Sequence, residues 1–287
     1  LMKIPGFAQQ TKASVVRFGR AFSISEDATE EETIKAMNFL YARMRALGSA
    51  TKVKPAITPQ ARKGEEIIEP IDRQLLKSEI NELGKTGGFL FNQAEFDMYV
   101  ASAWQIPNLS KEIGRLRELT FRDVDEGTMK SLDLDEYDLY YKQLLIWDKE
   151  AEKEADKIVG GYRLGPGDEI VDAFGKKGFY IHSLFKIKKD FKPYLKQSLE
   201  LGRSYIVPEY QRKRLPLFLL WKGILHYLLA NPQYRYLIGP MSISKHYSNV
   251  SRHLIVEFVK RHYYDEDLAK FIRARKQFRY KPKDIDT

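Results

Sequence analysis

Three groups of side chains have the types and spacing to do chemistry. Asp135-Glu136-Tyr137-Asp138 sets carboxylates just ahead of an apolar stretch. Glu200 and Arg203 lie three apart in Ser198-Leu199-Glu200-Leu201-Gly202-Arg203, inside a run that reads as a strand. Arg212, Lys213 and Arg214 stand at the mouth of a strongly apolar run from Leu215 to Ala230. Cations beside the free amides of a helix start make an anion site, and cations there without an anion would oppose the helix dipole. Together the groups suit a carrier with a phosphate arm and a small amine. The alternative for each is ordinary: turn and cap acids at Asp135 and Asp138, a partly buried ion pair at Glu200 and Arg203, a solvated basic loop at Arg212 to Arg214.

Other chemistries lack their residues. The chain has no cysteine, which removes disulfides, thiolate metal sites and Cys nucleophiles. The five histidines show no metal-ligand spacing, so no metal site is expected. Neither a Gly-Lys-Ser/Thr phosphate loop nor a Gly-x-Ser-x-Gly elbow occurs. His262 and Asp267 match a His-x-x-x-x-Asp pattern only formally, because Glu126-Gly127-Thr128 precedes them instead of following.

These groups need a scaffold. Residues 12 to 24 read as a strand, and Thr29 with Glu32 is a capping-box pattern before a helix presenting Ile34, Met37, Leu40 and Met44. Residues 49 to 66 read as a linker, and a short amphipathic helix is expected over 71 to 83. Phe89 to Gln105 reads as a strand pair or one long bent strand. Pro107 ends it, with Asn108 or Ser110 capping a helix that carries Ile113, Leu116, Leu119 and Phe121. Leu139 to Trp147 and Lys157 to Leu164 form a meander, Gly165-Pro166-Gly167-Asp168 a turn, and Leu199 to Val207 another strand. A helix over 215 to 230, a strand over 234 to 238 and a helix over 245 to 264 follow, then a charged tail. That order predicts an α/β (α+β) chain: a mixed, mostly antiparallel sheet flanked by helices, with a small N-terminal α/β extension.

The 287 residues allow one large domain or two smaller ones, and 43% apolar or aromatic content supports a sizeable core. A net charge of +9 fits an acidic partner: nucleic acid, anionic lipid headgroups or an acidic carrier protein. The cations are dispersed, not in one stripe, so nucleic acid is not expected. The longest apolar run falls short of the roughly 20 residues a bilayer-spanning helix needs. With no secretory signal visible, the expected setting is cytoplasmic, with peripheral attachment at the inner membrane as a further expectation. The chain opens on Leu1, not Met, which fits a piece of something longer.

As a set, several segments resemble the GNAT-fold acyltransferases. They are Arg115-Leu116-Arg117 with Phe121-Arg122, Glu126-Gly127-Thr128, Asp133 to Asp138, Val159-Gly160-Gly161-Tyr162-Arg163-Leu164, Glu200-Leu201-Gly202-Arg203, Pro208 to Gln211 and Leu237-Ile238-Gly239-Pro240. The likeness is greatest to the hemolysin-like group related to ornithine- and glycine-lipid N-acyltransferases. The acyl-homoserine-lactone synthases are similar at a greater distance.

The resemblance implies transfer of a fatty acyl group from acyl carrier protein, or from CoA, to an amino-acid amine in lipoamino-acid synthesis. It implies acyl carrier protein and an amino acid as partners, with an anionic membrane surface as a further one. The donor carries phosphopantetheine, and no permanently bound cofactor is implied. Glu200 would hold or deprotonate the amine, Arg203 would bind the acceptor's carboxylate or an acid of the carrier, and Asp135 and Asp138 would hold the acceptor's ammonium. Arg212, Lys213 and Arg214 would hold the carrier phosphate.

The loop departs from the family's Gln/Arg-x-x-Gly-x-Gly/Ala pattern, since Arg212 to Leu217 lacks both small residues. That fits either a carrier arm with one phosphate, better than CoA, or a weakened site. Glu200 and Arg203 would face opposite sides of a regular strand, so sharing a pocket requires a bulge. The expected division is residues 1–50 as the end of a glycerolipid-acyltransferase-like domain, 51–87 as linker and short helix, 88–267 as the acyltransferase domain and 268–287 as tail. The alternative is a non-catalytic basic protein that binds lipid or a membrane surface.

Overall fold

The computed structural model describes residues 29, 30, 33, 64–151, 157–244, 247–276 and 278. The expected strand over 12 to 24, the helix after Thr29 and most of the linker fall outside these residues. One compact unit comprises residues 59–245 and 255–279; the other comprises 1–58, 246–254 and 280–287. The first carries the architecture given below, apart from the first turns of the last helix.

Helix α1 (Arg73–Lys85) buries Leu76, Ile80 and Leu83, and Asp72 caps it by accepting from the Gln74 amide at 2.8 Å. Strands β1 (Phe89–Gln93) and β2 (Phe96–Ser102) pair antiparallel. Helix α2 (Pro107–Asp123) starts on a proline whose missing N–H costs nothing there. Its cap is neither Asn108 nor Ser110. Glu79 of α1 accepts from the Asn108 and Leu109 amides at 2.9 and 2.8 Å, so a second helix supplies the acceptor. Strands β3 (Lys142–Asp148) and β4 (Ile158–Pro166) form the expected meander.

Gly165 to Asp168 makes no reversal. The strand runs straight into helix α3 (Gly167–Phe174). Strands β5 (Phe185–Ile187) and β6 (Ser198–Ile206) lead to helix α4 (Arg214–Ala230), strand β7 (Tyr236–Ile238) and helix α5 (Asn249–Tyr263). The charged stretch after Asp265 is structured in part: β8 (Ile272–Ala274) pairs antiparallel with β5. Among the described residues no helix is long and apolar enough to cross a membrane.

The main sheet runs β1-β2-β3-β4-β6-β7, antiparallel until the last pair. Leu144, Leu145, Ile146, Val159 and Leu164 fill its middle, and β3 and β4 are buried along almost their whole length. From α4, Leu219, Leu220, Ile224 and Tyr227 join the same core. Each such side chain contributes about 1.5–3 kcal/mol by leaving water. A second cluster gathers Tyr141, Ile170, Phe179, Phe191 and Leu195 around α3.

Strands β6 and β7 are parallel and pair only at Ser198↔Tyr236, Leu199↔Leu237 and Glu200↔Ile238. Beyond that point β6 continues to Ile206 while the chain leaves β7 through Gly239 and Pro240. Two residues fix the fork. A Cβ on Gly239 would lie 2.4 Å from the Leu201 carbonyl oxygen, so only glycine fits against the strand there. Pro240 has no N–H with which to extend the ladder.

Candidate active site

The fork is a cavity of about 420 Å³. Gly202, Arg203 and Ser204 of β6 form one wall and Pro240, Met241 and Ser242 the facing one. Phe121 and Glu126 from the end of α2, Arg163 of β4, and Tyr180 and Leu184 complete it. Its size lies within the usual range for small-molecule clefts. A smaller cavity of about 230 Å³ lies at the C-terminal half of α2, between Leu116, Leu119, Ile158, Val207 and Pro208.

Strand β6 carries the bulge that the spacing required. Gly161 faces Tyr205 and Arg163 faces Gly202, so β6 has one residue more than β4 over this stretch. Arg203 takes up the excess in a left-handed conformation, φ 50°. Arg203 reaches the cavity; Glu200 does not line it. Glu200 is 1% exposed and accepts from Tyr141 Oη and from the amides of Tyr180 at 3.0 Å and Ile181 at 2.7 Å. Burial pushes its carboxyl above the usual range, against the pull of those donors. Glu200, expected to hold or deprotonate the amine, is thus placed behind the cavity lining. Its oxygens face the turn that presents Tyr180, away from the open space.

Behind Arg203 lies a buried network. Arg117, fully buried on α2, donates to Asp133 Oδ2 at 3.0 Å and to Asp138 Oδ1 at 2.9 Å. Arg163 reaches Asp135 Oδ1 at 2.6 Å and Asp138 Oδ2 at 3.1 Å. Arg203 Nε lies 3.1 Å from Asp133 Oδ2 without hydrogen-bond alignment, and its Nη2 lies 3.4 Å from Asp135 Oδ2. Burial alone would raise the Asp138 carboxyl; the Arg117 and Arg163 guanidiniums outweigh it and hold it at about 2.

Three guanidiniums thus meet three carboxylates. Asp135 and Asp138, expected to hold the ammonium, are placed in this network. Asp138 is buried among Arg117, Arg163 and Gln143, and Asp135 caps the turn Glu136–Leu139 by accepting from the Tyr137 amide at 3.0 Å. The cap alternative describes Asp135. The rings of Tyr137, Tyr141 and Tyr180 stand 5.5, 5.3 and 5.8 Å from the Arg163 guanidinium, which is cation–π range.

Arg212, Lys213 and Arg214 do not line the cavity. They are exposed at the start of α4, beyond the open end of β6, and Lys213 Nζ sits 4.5 Å over the Tyr210 ring. The Lys213 side chain at the N-cap position makes no capping hydrogen bond to the α4 amides.

Sequence reasoning missed Asp133 and Glu126 as site residues and read Arg117 and Arg163 only as parts of motifs. A signal existed for Arg117. It falls four residues after Ile113 and eight after Leu109, on the apolar stripe of α2, where a cation must be paired. Nothing in the spacing marked Glu126.

The mixed, mostly antiparallel sheet flanked by helices is consistent with the GNAT acyltransferase fold. Residues 116–221 match the acetyltransferase (GNAT) domain family. The chain is 39% identical over 214 residues to a glycine N(alpha)-acyltransferase of Phocaeicola vulgatus, covering 71% of this chain and 64% of that protein. It is 36% identical over 214 residues to one of Bacteroides thetaiotaomicron, covering 71% of this chain and 62% of that protein. An L-ornithine N(alpha)-acyltransferase of Rhizobium meliloti is 35% identical over 118 residues, 40% of this chain and 38% of that protein. The chain spans less than two thirds of the length of these curated relatives.

Proposed function

We propose that this protein is an N-acyltransferase that moves a fatty acyl group from a phosphopantetheine thioester to the amine of an amino acid. The observation that carries the reading is the open fork between β6 and β7 with Arg203 on its wall. The names of the relatives support it. Acyl carrier protein is the preferred donor over CoA, because the turn before α4 has cations but no glycine with which the backbone could close on a pyrophosphate.

The pantetheine arm enters between the parted strands, with its phosphate toward Arg212, Lys213 and Arg214. The acceptor's carboxylate meets Arg203. The neutral amine nitrogen attacks the thioester carbon directly. A C–N bond forms, the C–S bond breaks, the nitrogen loses a proton, and the sulfur leaves as thiol. The oxyanion sits beside Gly202, Arg203 and Ser204, which line the cavity. Glu200 positions Tyr180 in this account. Purified protein given acyl carrier thioester and glycine, ornithine or serine is expected to release thiol well above background and to form amide. No release with any acceptor or donor would overturn the reading.

One observation favours a second reading, binding to an anionic lipid surface. On α4, Leu217, Phe218, Trp221, Leu225 and Leu229 are exposed along one face, next to Arg212, Lys213 and Arg214, and the helix contains no Asp or Glu. Sedimentation with phosphatidylglycerol vesicles and not with phosphatidylcholine, in a protein that transfers no acyl group, would favour this alternative.

A further inference from the structure

The cavity holds a carboxylate that no step has used. Glu126 is the single acid among its described lining residues, set in the same space as the guanidiniums of Arg203 and Arg163. Glu126 has no ion pair among the described residues. Its one described side-chain partner is Ser242 in the loop after β7, whose Oγ donates to Oε2 at 3.1 Å. Its other oxygen accepts no hydrogen bond among the described residues.

The backbone that presents Glu126 is fixed at every step. Helix α2 ends with Asp125 in the left-handed region, φ 61°. The Asp125 amide donates to the Arg122 carbonyl at 3.0 Å and the Glu126 amide to the Phe121 carbonyl at 2.8 Å, a Schellman closure. Gly127 then packs against Arg122 so tightly that a Cβ would lie 2.6 Å from Arg122 Cγ. The amides of Thr128 and Met129 close on the buried Glu118 carboxylate at 3.0 and 2.8 Å. An acid held this way on a cavity wall is placed, not merely tolerated at a surface.

We propose that Glu126, oriented by Ser242, is the ammonium subsite for the acceptor. It would receive the primary amine of an amino acid whose carboxylate lies on Arg203. This rests on the acyltransfer reading. A zwitterion needs one fixed anion and one fixed cation, and Glu126 with Arg203 supplies both within one cavity. Glu126 is a catalytic residue in this account: it binds the ammonium, takes one proton from it and passes that proton to solvent, leaving the nitrogen neutral for attack.

The test pairs kinetics with a donor-free titration. Glu126→Gln is expected to raise the KM for glycine about ten- to a hundredfold, the range for losing one charge-assisted hydrogen bond, with the KM for the acyl donor unchanged. Its Tm is expected to match the wild type, because the side chain is exposed. Calorimetric titration of glycine without donor is expected to show binding to wild type and loss in Glu126→Gln. If wild type transfers acyl groups while Glu126→Gln keeps a glycine KM within twofold, the subsite is wrong and the acyltransfer reading stands. If wild type transfers nothing, that reading falls and the titration alone decides the subsite: glycine binding abolished by Glu126→Gln supports it, and no glycine binding overturns it.

Discussion

Replacing Arg203 by alanine is expected to lower kcat/KM for glycine about a hundredfold or more while leaving the KM for the acyl donor unchanged. Truncating one partner of a desolvated charge pair costs about 2–5 kcal/mol, and each 1.4 kcal/mol is about tenfold. The bulge does not confound the experiment. Arginine and alanine both carry a Cβ, so the left-handed backbone at residue 203 is equally costly for each. The informative control is an acceptor without a carboxylate, such as ethanolamine. It never used Arg203 in this account, so the variant should handle it nearly as well as wild type does. Equal losses for glycine and ethanolamine would mean that Arg203 only holds the network behind it.

Arg117→Met is expected to have the largest effect on stability, a loss of about 4 kcal/mol in urea unfolding with the m value unchanged. Removing one member of a buried ion network costs about 3–5 kcal/mol, because the partners stay buried without compensation. Asp138 would keep Arg163 and Gln143, and Asp133 would keep Arg203, so the loss should be large without abolishing the fold. Stabilities of small domains are about 5–15 kcal/mol, which makes this a substantial fraction. A loss under about 1 kcal/mol would show that the network is not buried as described.

The same network sets an acid limit. Asp138 is held at about 2, below its ordinary 3.8. Its contribution is complete above the unfolded value and disappears as pH falls through the folded one. Wild type should therefore lose stability between about pH 4 and pH 2, and Arg117→Met should lose less over that interval.

The sheet was largely legible because its strands are apolar runs bounded by Gly, Pro and charged residues. β3, β4 and β6 fall close to where the pattern put them, and α4 begins one residue before the expected Leu215. Long-range partners were not legible. The Glu79 cap on α2 and the pairing of β5 with β8 join segments whose sequences carry no mark of each other. Gly165-Pro166-Gly167-Asp168 has turn chemistry, yet burial of Ile170 and Val171 in the second cluster draws it into a helix.

Within the site, residue types were easier to read than orientations. The requirement for a bulge followed from the period of a strand, but which face each side chain takes depends on the fork. Glu200 is carried into a buried nest of donors and Arg203 into the open. Glu126 escaped because an exposed acid after a helix is ordinary in sequence. It becomes notable only when the chain after β7 brings Ser242 and the guanidinium of Arg203 into the same cavity.

The central claim is that a pantetheine-linked chain lies between the parted strands. A crystal structure with a nonhydrolysable acyl-pantetheine phosphate tests it most directly. The account predicts the arm running between β6 and the Gly239–Ser242 segment, beyond the Glu200↔Ile238 pair, with the phosphate within hydrogen-bond reach of Arg212, Lys213 or Arg214. Density for the arm in the smaller cavity beside Leu116 and Val207, along the outer face of α4, or nowhere while the fork stays open, would contradict it.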